Sequence, residues 1–283
     1  MKIKHTISLL VISSLLLISA CSDFLNEDPK GKLPSDGFFT SKEDLTASLN
    51  ALYSVVTTSQ RANNYVGTNF LSGDDISTHP ASNKQSLREH DQYNVTDNNA
   101  WMVSMWEQRY KVIKAANFII NNAERTPDVS EEEIRMAVAQ AHYWRGFSYF
   151  YLVTTWGEVP VMLDETIDYN TPLSSVEDIY DLIINDMLIA EQGCPVNYTT
   201  APYWQNGVNV AVSQGAVKAT LAYIYMCMAG WPMNLGEEYY QKAADKAEEV
   251  IDLADSGTYY YRLIDNYSDV YSMAYSKSNP ELI

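Results

Sequence analysis

Ala139-Gln140-Ala141-His142-Tyr143-Trp144-Arg145-Gly146-Phe147-Ser148-Tyr149, followed seven residues later by Trp156-Gly157-Glu158-Val159-Pro160, decides how the rest of the 283-residue chain is read. Together with the residues before it, this stretch places Ile134, Val138, Ala141, Trp144, Ser148 and Leu152 at spacings of three and four, which is one face of a helix. Ser130 and Glu133 form a capping-box pattern at its start. Glu131-Glu132-Glu133 set negative charge against the positive end of the helix dipole. At the far end Gly157 suits a positive-φ exit, and Pro160 forbids re-entry. The stretch predicts a long helix with a defined beginning and end.

The same signals recur outward. Ser41-Lys42-Glu43-Asp44 precedes Leu45, Leu49, Leu52 and Val56, a serine cap followed by a periodic face. Trp106, Tyr110, Ile113, Asn117 and Ile120 form another face, opened by Asp97, Asn98 or Asn99. Ser174 with Glu177 predicts a fourth helix carrying Ile179, Leu182, Ile183, Asp186 and Ala190. A fifth runs roughly from Ala211 to Ala229, with Ala216, Ala219, Tyr223 and Met226 on one side. A sixth opens at Asn234 and Glu237, carries Tyr240, Ala243, Ala247, Val250 and Ile251, and stops before Gly257. Ala116, Ala141, Gly146, Ala219, Ala243 and Ala247 are small residues at inward positions, where helix backbones can approach closely. The fold class expected is mainly α, a tetratricopeptide-like helix-pair array with long irregular loop insertions. The insertions are Thr57 to Ala100, Gln192 to Asn209, and the tyrosine-rich stretch after Ser256. Loops as long as the first are often functional.

The N-terminus is an address. Lys2 and Lys4 precede an apolar run from Ile7 to Ile18, too short to span a bilayer comfortably and right for a secretory signal peptide. It closes on Ile18-Ser19-Ala20-Cys21, which looks like a bacterial lipobox, with Cys21 as the residue to be cleaved before and lipidated. An ordinary signal peptide with a chance cysteine is the alternative. The expected organisation is residues 1–20 as signal peptide, 21–40 as tether and N-terminal arm, and 41–283 as the helical domain. Loss of Lys2 and Lys4 with the leader takes the formal charge from -17 to -19. So acidic a chain is not expected to bind nucleic acid, which requires a basic surface.

Catalytic and metal motifs do not emerge. His79, Glu89 and His90 lack ligand spacing, and His142 reads as a hydrogen-bonded core or surface histidine. There is no Gly-x-Ser-x-Gly elbow, P-loop or dinucleotide fingerprint. Asp74-Asp75 after Gly73 reads as a turn or cap. The expectation is a protein that is not an enzyme and needs no cofactor. Of the remaining cysteines, Cys227 reads as a buried thiol and Cys194 sits at a helix exit before Pro195. What stands out is an abundance of asparagine, aspartate and tyrosine, with 21 Tyr against 7 Phe. Rings cover the C–H face of a sugar, and Asn and Asp pair with its hydroxyls. Ordinary wet loops would have the same composition. The candidate ligand residues are Tyr65, Tyr93, Asn94 and Trp101, in the long insertion and at the following helix start. For Trp101, a ring stapled on the helix end is the alternative.

The ordered set of motifs resembles the SusD/RagB-like family of outer-membrane nutrient-binding lipoproteins. It comprises Cys21-Ser22-Asp23-Phe24-Leu25 with Asp28-Pro29, then Trp106-x-x-x-Tyr110-x-x-Ile113-x-x-Ala116-Asn117, and then the opening stretch, similar to the family's Ala-Arg-Ala-x-Arg-Ala-x-x-Tyr helix and Phe-Gly-Asp-x-Pro turn. Gln140, Gly146 and Trp156 depart from that pattern; the departures bear on one buried ion pair and leave the helix and its stops intact. The match continues through Gly215-Ala216-Val217-Lys218-Ala219 to Asn279-Pro280-Glu281-Leu282-Ile283. The resemblance implies a lipid-anchored protein of the outer membrane, facing the cell exterior, that binds glycan and partners a SusC-like TonB-dependent transporter. It also implies that the family's body continues past Ile283. Some relatives handle peptides instead. A helical-repeat scaffold for envelope proteins is the rival reading from a different class.

Overall fold

The longest helix is the one the opening stretch predicts. In a computed structural model, residues 37–60, 73–80, 82–166, 168–275 and 277–281 are described; Cys21 and Tyr65 lie outside them. Phe39–Ile283 forms one compact unit, and of the unit before it only Gly37 and Phe38 are described. Seven α-helices occur among the described residues: α1 (Lys42–Ser59), α2 (Gln85–Asp91), α3 (Ala100–Asn122), α4 (Glu131–Trp156), α5 (Val176–Gly193), α6 (Gln214–Ala229) and α7 (Glu237–Asp255). None is long and apolar enough to cross a membrane.

Local chemistry sets the boundaries. Ser41 caps α1 by accepting from Asp44 N. Asn99 opens α3, its Oδ1 accepting from Trp101 N and Met102 N. The capping box of α4 is complete: Ser130 Oγ accepts from Glu133 N, and a Glu133 carboxylate oxygen accepts from Ser130 N. Lys42, at the start of α1, pairs with Glu133. This pairing, together with the Ser130 bonds, holds the Glu133 carboxyl at about 2. Gly157 ends α4 at φ 75°.

Three starts differ from the sequence expectation. The cap of α5 is Ser175, which accepts from Asp178 N, and Ser174 pairs in a short strand. The cap of α6 is Ser213, placing the start at Gln214. A backbone turn with Asn234 at φ 52° and Gly236 at φ 69° precedes α7, so Gly236 is the cap and no side chain serves. The long insertion is also more structured than expected, since α1 persists to Ser59 and α2 lies within it.

Two two-residue hairpins complete the fold. Strand β1 (Val159–Pro160) pairs antiparallel with β2 (Leu173–Ser174), and β3 (Trp204–Gln205) pairs antiparallel with β4 (Val208–Asn209). The second turns on Asn206-Gly207, both at positive φ, as a tight hairpin turn demands.

Helices α3 to α7 pack each on the next in chain order, and α1 lies on α3. This sequential stacking is the tetratricopeptide-like arrangement. Leu52, Ile113, Ile119, Leu152, Ile179, Ile183, Leu221 and Ile224 are fully enclosed, and each such side chain contributes about 1.5–3 kcal/mol relative to exposure. On α6 the core face is Val217, Leu221, Ile224 and Met228, while Tyr223 and Met226 point outward. Tyr240 and Ile251 of α7 are likewise exposed; Ala243 and Val250 are buried.

A polar knot crosses this apolar stack. Asp186 of α5 is wholly buried and accepts from Arg145 Nε at 2.8 Å, Arg145 Nη2 at 2.7 Å and His142 Nδ1 at 2.7 Å. Arg145 Nη1 donates to Asn117 Oδ1 of α3 at 3.0 Å. Gly146 makes the approach possible, because a Cβ there would sit 3.1 Å from Asp186 Cβ and 3.3 Å from Met187 Cε. Gln140 is also buried and accepts from Tyr53 Oη at 2.6 Å, tying α1 to α4.

Candidate functional site

Two surfaces on α3 present rings beside polar groups. The first is a ledge at its N-terminal end. Asn99 is 1% exposed; besides capping α3, its Nδ2 donates to Ser86 O at 3.0 Å and to Glu89 Oε2 at 2.7 Å. One asparagine thereby joins α2 to α3. Asp91 accepts from Thr78 N and Thr78 Oγ1, both at 2.9 Å, and draws in the 73–80 segment. The chain leaves α2 through Tyr93 at φ 53°, with Asn94 N donating to Glu89 O at 2.8 Å. The ledge is therefore fixed by backbone and side-chain bonds on both sides.

Of the sequence-predicted ligand residues, Tyr93 and Asn94 are exposed on this turn, Tyr93 to 73%. Trp101 is half-buried in the first turn of α3. Tyr93 and Asn94 stand at the α2 end of the α2–α3 connection and Trp101 at its α3 end. His90, in the last turn of α2, is buried, and burial pushes its imidazole below the ordinary histidine range. His79 accepts at its backbone carbonyl from Arg88 Nη1 at 3.4 Å.

The second surface is a cleft of about 570 Å³ between α3 and the return segment after α4. Trp106, Tyr110, Pro160 and Met162 give it apolar walls; Glu107, Lys111, Lys114, Asp168 and Thr171 supply polar groups; and Tyr169 borders it with 90% of its surface exposed. Trp106 is braced edge-on by Trp156 at 5.3 Å between ring centroids and by Tyr110 at 5.0 Å. Burial pushes the Tyr110 hydroxyl up, and that hydroxyl donates to Pro160 O at 2.8 Å. Asn117 Nδ2 donates to Met162 O at 2.9 Å and to Asp164 O at 3.0 Å, and Asn121 Nδ2 donates to Leu163 O at 3.1 Å. Tyr149 Oη donates to Met162 O and accepts from Met162 N. The return segment is thus gripped along its backbone.

Sequence reasoning placed Trp106 and Tyr110 on one helix face with Ile113, Asn117 and Ile120 and missed the cleft. The readable signal was Trp106, Tyr110 and Lys114 recurring every four residues on one side of α3, with Glu107 and Lys111 beside them. The opposing wall comes from residues more than forty positions away, which no local pattern places. The remaining free thiols do not belong to either surface. Cys194 is buried with its thiol raised to about 12 by desolvation, and Cys227 is half-buried and also raised. His142 is the hydrogen-bonded core histidine that was expected.

Residues 23–226 match a family model, SusD-like, described as starch-binding and associating with the outer membrane. "SusD-like protein P2" of Formosa agariphila is 28% identical over 88% of this chain and 46% of its own length. A "SusD-like protein" of Bacteroides ovatus is 30% identical over 79% of this chain and 39% of its own. A crystal structure described as being with xylogluco-oligosaccharide superimposes with a TM-score of 0.64 at 26% identity, covering 81% of this chain and 43% of that one. The chain spans less than half the length of these proteins.

Proposed function

The chain belongs to the SusD-like family, and from that premise we propose that it captures glycan at the outer membrane for uptake through a SusC-like TonB-dependent transporter. The observation that carries this reading is the ledge: an exposed Tyr93 and Asn94 at one end of the α2–α3 connection and half-buried Trp101 at the other, with Asn99 bonding α3 to α2. Preorganised rings next to amide and carboxylate groups suit a sugar, whose C–H face packs on a ring and whose hydroxyls both donate and accept. The xylogluco-oligosaccharide described with a structural neighbour supports the same class of ligand. In this proposal the protein holds its ligand without turning it over. Cys21 carries the lipid, residues 1–20 are removed, and the protein faces the cell exterior. Tyr65, in the same insertion, is proposed to contribute a further ring.

The test is binding of the purified chain to a panel of neutral oligosaccharides. Trp101→Ala should weaken binding roughly tenfold, the equivalent of about 1–2 kcal/mol for one stacked ring, with helical circular dichroism unchanged. Binding to none of the glycans removes the proposed function. Full affinity in a folded Trp101→Ala variant removes Trp101 from the site.

A further inference from the structure

We propose that the cleft between α3 and the Pro160–Thr171 segment is a second glycan subsite, selective for an uncharged pyranose. It rests on the glycan-binding reading above and adds a place and a specificity to it. The volume, about 570 Å³, is that of a small-molecule site, and so is the pattern of apolar walls with a few convergent polar groups. Trp106 cannot swing away, because Trp156 and Tyr110 brace it. The facing wall cannot swing away either, because Tyr110, Asn117 and Tyr149 hold its carbonyls. Tyr169 differs, being 90% exposed and tied to no packed neighbour by the bonds of its turn. Those bonds run from Asn170 N to Asp168 Oδ1 at 2.9 Å and from Thr171 Oγ1 to Asp168 O at 2.9 Å. A fixed indole and an outlying phenol ring bordering one cleft provide two apolar surfaces for a flat, hydroxylated ring.

The polar groups argue for an uncharged ligand. Glu107 and Asp168 are acceptors, Lys111 and Lys114 are donors, and Thr171 carries a hydroxyl that can be either. Each sugar hydroxyl is both donor and acceptor, so it can use either kind of neighbour. The two carboxylates and two ammonium groups cancel, so the cleft offers a uronate or sulfated sugar no net attraction, and such a sugar would approach a chain whose formal charge is -17. A cationic sugar would find no net attraction in the cleft either.

The experiment is isothermal titration calorimetry of the full chain with neutral gluco-, xylo-, manno- and xylogluco-oligosaccharides, alongside hexagalacturonate. Wild type should bind at least one neutral probe and not hexagalacturonate. Tyr169→Ala, a change at an exposed side chain, should lower affinity for that probe roughly tenfold, and Lys111→Met several-fold, with thermal unfolding unchanged. Full affinity in both variants overturns the subsite while leaving glycan capture standing. Tighter binding of hexagalacturonate than of any neutral probe overturns the specificity. Absence of binding to all neutral probes overturns the subsite and the proposed function together.

Discussion

Removing the carboxylate of Asp186 should unfold this protein more readily than removing any exposed charge. Asp186 is wholly enclosed, Arg145 is 6% exposed and His142 is 8% exposed. Three charge-assisted bonds of 2.7–2.8 Å converge on the one carboxylate. In Asp186→Ala the guanidinium keeps its bond to Asn117 Oδ1 and a long contact with His142 Nδ1 at 3.5 Å, and a buried cation is left without its counter-charge. Breaking a buried pair from one side costs about 3–5 kcal/mol. At about 2–4 °C per kcal/mol for a chain of this size, the melting temperature should fall by roughly 6–20 °C. The companion is Arg145→Met with Asp186→Leu, which removes both charges and fills the space. It should lie within about 2 kcal/mol of wild type, since a buried ion pair repays little more than its own desolvation. Thermal and urea unfolding of the three proteins decide the matter. An Asp186→Ala variant within about 1 kcal/mol of wild type would refute the reasoning, as would a double variant less stable than the single.

Gly193→Ala should cost about 1–3 kcal/mol by overpacking, because the new Cβ would fall 2.5 Å from Ala139 Cβ and 3.2 Å from Arg135 O; a lower urea midpoint reports it. His90 is held below its ordinary value of 6.5 by burial, so its contribution is complete above about pH 6.5 and declines as pH falls toward the depressed folded value. Urea midpoints between pH 7 and pH 5 should therefore drop less in His90→Asn than in wild type. Cys21→Ala should abolish lipid labelling and release the protein from membranes in detergent fractionation, because the lipid on Cys21 is the proposed anchor.

The elements that sequence placed correctly are those whose signals are local. Ser41, Ser130 and Gly157 act on backbone groups within four residues of themselves, so spacing alone revealed them, while Asn99 was one of three candidates for the start of α3. Where two serines adjoin, at Ser174-Ser175, only the strand pairing of Ser174 decides between them. Helix α2 was missed because seven residues hold no full apolar stripe and its cap, Lys84, makes no side-chain bond. The Asn206-Gly207 hairpin was passed over within the irregular stretch from Gln192 to Asn209, although that dipeptide favours the positive φ angles it adopts. Asp186 was read correctly as a member of the α5 face, but its partners lie more than forty residues away. The insertion's composition singled out Tyr93, Asn94 and Trp101 without placing them relative to one another, and the cleft exists only where a return segment meets α3.

Met162, Leu163 and Asp164 are held through their main-chain carbonyls, by Asn117, Asn121 and Tyr149. A carbonyl is present whatever the residue. The course of this wall is consequently written in the helices, while the letters along the wall itself are nearly free to change. Leu163, already 47% exposed, and Tyr169 could be exchanged for other side chains with the scaffold unaltered. The cleft is therefore a natural position for a combinatorial library: randomising 169, on its border, while keeping Asn117, Asn121 and Tyr149 should yield mostly folded proteins that differ in what they hold.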